Sequence, residues 1–230
     1  MRPDAVVSAI GVDAVTVERD GRPILRDVTV ELGARRTAVI GANGSGKSTF
    51  ARLLNGLVLP SSGAVTVHGL DTHRDAAAVR RRVGFVFTDP QAQILMPTAI
   101  EDLRLSLRGA PRAEIEQRVS QALVEHGLDG HAEVPASALS GGQKQLLALA
   151  SVLITEPALL VADEPTTLLD LRNARRIGEL LLSGPAQLVV ATHDLELAAR
   201  CDHALLFEEG AITASGDPDA VIEAYRQSCA

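Results

Sequence analysis

The stretch GANGSGKS, Gly41 to Ser48, follows the apolar run TAVI and precedes FARLLNGL, whose apolar residues Phe50, Leu53, Leu54 and Leu57 recur at helical spacing. That order restricts the chain to a strand that passes through a glycine-rich loop into a helix. Glycines let successive backbone N–H groups curl around an anion, and the helix N-terminus adds the positive end of its dipole. The stretch fits G-x-x-x-x-G-K-[ST] without a gap, so Lys47 is aimed at the β- and γ-phosphates of a nucleotide and the Ser48 hydroxyl at Mg²⁺. Gly41, Asn43, Gly44, Ser45, Gly46, Lys47, Ser48 and Thr49 are the candidate nucleotide contacts.

Composition bears on that reading through lysine. Of 22 Lys and Arg residues only Lys47 and Lys144 are lysines, and where arginine dominates, a surviving lysine marks a place for its compact ammonium. A formal charge of −7 offers no broad basic surface, so nucleic acid is not an expected partner. Cys201 and Cys229 are too few and too far apart for a disulfide scaffold, and the histidines show no metal-ligand spacing. No N-terminal stretch has the order of a secretory signal. The apolar run LLALASVLI ends at Thr-Glu-Pro, short of the roughly 18 to 20 residues a membrane span needs.

Along the chain, AVTVE (Ala14 to Glu18) and ILRDVTVEL (Ile24 to Leu32) alternate as strands joined at Asp20-Gly21, a hairpin signal. AVTVH (Ala64 to His68) and RVGFVF (Arg82 to Phe87) add strands, and beyond Pro90 the pattern turns helical over Thr98 to Leu107 and Pro111 to Gly127. Strands resume at ALLVAD and QLVVATHD on either side of a helical Leu168 to Leu182, and the tail reads as a hairpin and a helix. The expected fold is α/β, a P-loop NTPase core with a mostly parallel sheet, an N-terminal antiparallel β subdomain and an inserted helical subdomain. As boundaries, residues 1–230 form one domain, with the nucleotide-binding core at 1–88 and 156–230 and the helical subdomain at 89–155.

Two further motifs carry chemistry. ALLVADEP is a buried strand that stops at two acids, at the sheet edge where α/β proteins bind ligands. Asp163 there suits Mg²⁺ held through water, and Glu164 suits orientation or deprotonation of an attacking water. LSGGQKQ, Leu139 to Gln145, opens a second anion-binding helix start with Ser140, Gly141, Gly142 and Gln143. One triphosphate rarely needs two such starts.

The phosphate loop, LSGGQ with its serine 93 residues beyond Lys47, LLVADEP and a histidine ending a later strand together resemble the nucleotide-binding subunits of ABC transporters, over nearly the whole chain. The resemblance implies a head-to-tail dimer binding two Mg-ATP, with a second copy or a paralogous ATPase as partner. In it Ser140 and Gly142 act on the nucleotide held by the other subunit, Asp170 of the TLLD stretch crosses the seam, and His193 senses the γ-phosphate. It further implies a transmembrane coupling subunit and a substrate-binding membrane subunit, reached through the Gln91 to Ser106 region, and a peripheral place on the cytoplasmic face of the membrane.

Two positions depart from the family pattern. An aromatic ring commonly stacks on adenine where this chain has Arg19, whose planar guanidinium is a candidate substitute. Glutamine commonly follows the strand where this chain has Thr88, a shorter oxygen ligand for Mg²⁺ that leaves room for water, with Gln91 and Gln93 as candidate compensators. The run FTDPQAQ followed by MPTAIED is similar to the ATPases of energy-coupling-factor importers, and Phe-Thr in particular to those of biotin uptake systems. Importers of cobalt, nickel or another vitamin, and a soluble ABC ATPase without a membrane partner, are the alternatives.

Overall fold

Asp20 and Gly21 adopt positive φ of 52° and 71°, the conformation a tight hairpin turn demands, and they join β1 (Ile10–Arg19) to β2 (Arg22–Leu32). The computed structural model describes residues 9 to 229; residues 1–8 and 230, which the sequence reading assigns to the same domain, lie outside it. After the hairpin come β3 (Arg36–Ile40), α1 (Lys47–Leu53), β4 (Ser62–Val67), β5 (Leu70–Asp71), α2 (Ala76–Arg82) and β6 (Val83–Val86). The helical stretch contains α3 (Ala99–Ser106), α4 (Arg112–Glu125) and α5 (Gly141–Leu153). The remainder is β7 (Leu159–Asp163), α6 (Leu171–Ser183), β8 (Gln187–Ala191), α7 (Leu195–Ala198), β9 (His203–Glu208), β10 (Ala211–Gly216) and α8 (Pro218–Ser228).

Two sheets result. An antiparallel sheet has the order β2-β1-β4-β5, and a six-stranded sheet has the order β10-β9-β3-β8-β7-β6, parallel except for β10. Successive side chains of a strand point to opposite faces, and the central strands use both. Ala38, Ile40, Leu160, Ala162, Leu188 and Val190 pack toward the helices of the 99–153 stretch, α6 and α8. Val39, Leu159, Val161, Val189 and Ala191 pack the other way, against α1 and the antiparallel sheet. Burial on both faces explains why these strands read as unbroken apolar runs, and it is the mixed α/β fold expected from the sequence.

Three differences have local causes. α2, AAAVRRR, buries only Val79, so it carries no apolar periodicity to read. Leu57 falls beyond the end of α1 and is half exposed. α6 starts at Leu171 and not Leu168, because Leu168 takes φ 66° in a loop and Asp170 caps the helix that follows. The apolar run at Leu146 to Ile154 is core-facing α5 and its cap, and among the described residues no helix is long and apolar enough to cross a membrane.

The parallel register aligns the strand ends. Val86 pairs with Ala162 and Asp163 with Ala191, so the loops after β3, β6, β7 and β8 leave the sheet at one edge. Gln93 reinforces that edge: its Oε1 accepts from the Phe87 N–H at 3.2 Å and its Nε2 donates to the Ala148 carbonyl at 2.8 Å, stapling the end of β6 to α5.

Candidate functional site

The loop after β3 is shaped by close approach. Gly41 sits at φ 140°, where a Cβ would collide with the carbonyl oxygen of Phe207. Gly46 sits at φ 108°, where one would lie 2.7 Å from Leu25 Cδ2. Within the loop the Lys47 ammonium is buried and donates to the carbonyls of Gly41 (2.7 Å) and Ala42 (2.9 Å). Burial lowers its pKa, while Glu164 and Asp163 pull the other way. The buried Ser45 hydroxyl has no hydrogen-bond partner. A lysine folded back on its own loop, beside an unpaired buried hydroxyl, fits a cradle whose polar groups await phosphate oxygens.

At the end of β7, Asp163 is fully buried. Its Oδ1 accepts from Ser48 Oγ at 2.7 Å, and its Oδ2 pairs with the Arg52 guanidinium at 3.2 Å. Burial raises its pKa, opposed first by the Ser48 bond and then by Arg52. A buried carboxylate beside a hydroxyl, with a cation already on its other oxygen, suits a hard divalent ion. Among the described residues no group of three or more His, Cys, Asp or Glu could hold a metal alone, so Mg²⁺ at Ser48 and Asp163 would rely on phosphate oxygens and water.

Glu164 takes φ 51°, an uncommon conformation for a non-glycine residue, and its N–H is held by the Ala191 carbonyl at 2.8 Å. The turn swings the carboxylate sideways. Its Oε2 lies 2.7 Å from His193 Nδ1 and accepts from the His193 N–H and Thr167 Oγ1, each at 3.3 Å. Thr88 Oγ1 donates to the Asp163 carbonyl at 2.8 Å, leaving its lone pairs free to accept. Gly41, Ala42, Asn43, Thr88, Glu164, Thr167, His193 and Tyr225 line one cleft of about 500 Å³. Carboxylate, imidazole, hydroxyls and the start of the phosphate loop thus line a common space, an arrangement able to hold a terminal phosphate and activate a water.

Other sequence candidates stand apart from this cleft. Ser140 caps α5 through a reciprocal pair in which Ser140 Oγ accepts from the Gln143 N–H at 3.3 Å and Gln143 Oε1 accepts from the Ser140 N–H at 2.8 Å. Ser140 and Gly141 are exposed, while buried Gly142 packs against Asn173. Asn173 in turn donates twice to Asp170, the N-cap of α6. Arg19 lies exposed at the hairpin end, paired in register with Arg22. The expectation that Gln93 compensates for the short Thr88 is corrected, because both ends of its amide are spent on backbone groups; Gln91 faces a different groove, with Ile94, Leu95, Met96 and Lys144.

Sequence reading missed Arg52 and Tyr225, and it placed Thr167 only in the TLLD stretch, without its bond to Glu164. Arg52 was accessible, since it follows Ser48 by one helical turn and shares its face of α1. Thr167 stands three residues after Glu164 in a turn without a periodic signal. Tyr225 comes from α8, and nothing local ties it to the phosphate loop.

The family model described as ABC transporter matches residues 25–167. The chain belongs to the ABC transporter family. As an ATP-binding member it is an ATPase coupled to transport. This ABC ATPase is 42% identical to a biotin transport ATP-binding protein of Rhizobium etli, over 95% of this chain and 98% of that one. It is also 42% identical to a nickel import ATP-binding protein of Rhodobacter capsulatus (85% and 83%). An energy-coupling factor transporter ATP-binding protein of Halalkalibacterium halodurans is 38% identical (89% and 76%), and with these relatives the chain is an ABC ATPase of energy-coupling-factor type. Among solved structures, a Clostridium perfringens subunit described as part of an ABC transporter complex superimposes with a TM-score of 0.83 at 30% identity, covering 93% of this chain and 90% of that one.

Proposed function

We propose that this ABC ATPase powers a vitamin importer, with biotin as the solute, by closing two copies head to tail over two ATP molecules. The single observation behind the closure is the separation of the two anion-binding helix starts. The phosphate loop shares a cleft with Glu164 and His193, whereas Ser140 and Gly141 are exposed outside it, free to meet a nucleotide held by another subunit. The core and the helical subdomain at 89–155 act within one domain, and Asp170 reaches the seam beside Asn173 and Gly142. The partner copy is identical or a paralogous ATPase.

In the catalytic cycle Lys47 leaves the Gly41 and Ala42 carbonyls for the β- and γ-phosphate oxygens, and the loop's N–H groups close around them. Ser48 and Asp163 would hold Mg²⁺, which would supply neutralisation of the phosphate charge. Glu164, fixed by His193 and Thr167, orients the attacking water and accepts its proton. His193 holds Glu164 on one side and faces the γ-phosphate on the other. Arg19 stacks its guanidinium on adenine.

Thr88 stands where the family commonly has a longer glutamine, and its hydroxyl oxygen, which lines the cleft, would face Mg²⁺ through water. Thr88→Gln is expected to retain or raise steady ATP hydrolysis, measured as phosphate release at saturating Mg-ATP. A clear loss would show that the site is built around the shorter side chain.

The enzyme works at the cytoplasmic face of the membrane, where the Gln91 to Ser106 region receives the transmembrane coupling subunit beside a substrate-binding subunit. The similarity to a biotin transport protein and the FTDPQAQ stretch support biotin; the equal identity to a nickel import protein is the reason to test nickel alongside it. Cells carrying this ATPase with its membrane partners are expected to accumulate radiolabelled biotin and not labelled nickel, dependent on Lys47. Nickel uptake without biotin uptake would replace the solute.

A further inference from the structure

We propose that His131 is a positioning residue for the signature helix, holding Gln143 in the conformation that shapes the exposed N–H groups at the start of α5. The hydrogen-bond directions carry this. The Ser140 N–H is only a donor, so the Gln143 atom facing it at 2.8 Å is Oε1. The amide nitrogen of Gln143 then faces the other way, 2.8 Å from His131 Nε2. Since that amide nitrogen can only donate, His131 Nε2 must offer a lone pair, and the ring proton sits on Nδ1. His131 Nδ1 is buried without a partner. The ring therefore leaves its one N–H unpaired while its other nitrogen holds Gln143, an arrangement that packing alone does not require.

The ring is also anchored where it stands. The backbone N–H of His131 donates to the Leu128 carbonyl and its backbone carbonyl accepts from the Val134 N–H, closing a short turn between α4 and α5. The segment just beyond is tied to the start of α3 through Ile100 N–H to Ala132 and Ala136 N–H to Pro97, with a bridge between Thr98 and Pro135. The start of α3 is itself clamped by buried Asp102, which accepts from the N–H groups of Leu95 and Met96 and from Ser151 of α5. A fixed ring on a fixed segment can set the orientation of one amide. That amide completes the reciprocal cap and so orders the Ser140 backbone.

The proposal rests on the head-to-tail reading for its functional consequence, but not for the bond itself. In a Glu164→Gln background that traps the closed dimer, the ATP concentration for half-maximal dimerisation of the full chain is measured by light scattering. His131→Leu removes the acceptor at similar volume and is expected to raise that concentration about fivefold, the size of a lost helix cap. In the otherwise native chain it raises KM for ATP by a similar factor with little change in kcat. His131→Gln returns an acceptor oxygen near the place of Nε2 and is expected to restore both values. Unchanged closure in the leucine variant, or a glutamine variant as impaired as leucine, overturns the proposal.

Nitrogen-resolved NMR of the native imidazole tests the bond without any variant, including the case in which the leucine variant fails to fold. A neutral Nδ1–H tautomer is expected, and an Nε2–H tautomer overturns the proposal. If the Glu164→Gln parent itself does not dimerise with ATP, the head-to-tail reading fails, and the tautomer then decides the His131 bond alone.

Discussion

Glu164→Gln is expected to stop steady ATP turnover while leaving ATP binding and dimer closure in place, with kcat reduced by about 10²- to 10⁴-fold, the usual contribution of a positioned general base. The physical reason lies in how little else the substitution changes. The Glu164 backbone is set by its φ of 51° and its bond to Ala191, neither of which depends on the carboxylate. A glutamine oxygen can still accept from the His193 N–H and from Thr167, so the side chain keeps its place. What it loses is the charge that draws a proton from water. Phosphate release and ATP-dependent dimerisation measured on the same sample separate the two effects. Sustained hydrolysis in this variant would remove Glu164 from the water-activating role.

The second large effect is at Lys47. Lys47→Ala is expected to weaken ATP binding by about 10²-fold, the scale of one or two charge-assisted hydrogen bonds to phosphate, and to abolish hydrolysis and uptake at ordinary ATP concentrations. The fold itself is expected to survive. Lys47 is buried against the carbonyls of Gly41 and Ala42, but the shape of the loop comes from Gly41 lying against Phe207 and Gly46 against Leu25, contacts that alanine at 47 leaves untouched. ATP should therefore no longer raise the melting temperature of the variant, while its melting temperature without ATP stays close to that of the parent. An undiminished ATP-induced shift would mean that the loop backbone alone carries the affinity.

Much of this site was legible as a linear pattern because its chemistry is local. A glycine-rich loop entering a helix, and an apolar strand ending in two acids, place their functional groups within a few residues of their own secondary structure. Asp163 and Glu164 follow one another, yet they face different partners: Asp163 turns to Ser48 and Arg52, and Glu164 to His193 and Thr167. No periodicity announces that divergence, which comes from the left-handed turn at Glu164. The pairing of Arg52 with Asp163 follows from one helical turn of α1, but it also needs β7 to lie beside α1, and strand order is a long-range property. Gln93 shows the same limit from the other side. Its place in the sequence made it a candidate for the reaction centre, and its two backbone bonds to Phe87 and Ala148 make it part of the scaffold.

By itself the sequence determined the phosphate loop, the two acids, the signature helix start and the alternation of strands and helices, because glycine conformation, helix capping and hydrophobic period are properties of neighbouring residues. Only the tertiary structure decided that Glu164 turns toward His193, that Thr88 spends its hydrogen on the Asp163 carbonyl, and that His131 holds Gln143. Each of those contacts joins residues from separate elements. Their geometry is set by parallel strand register and by the packing of helices on both sheet faces.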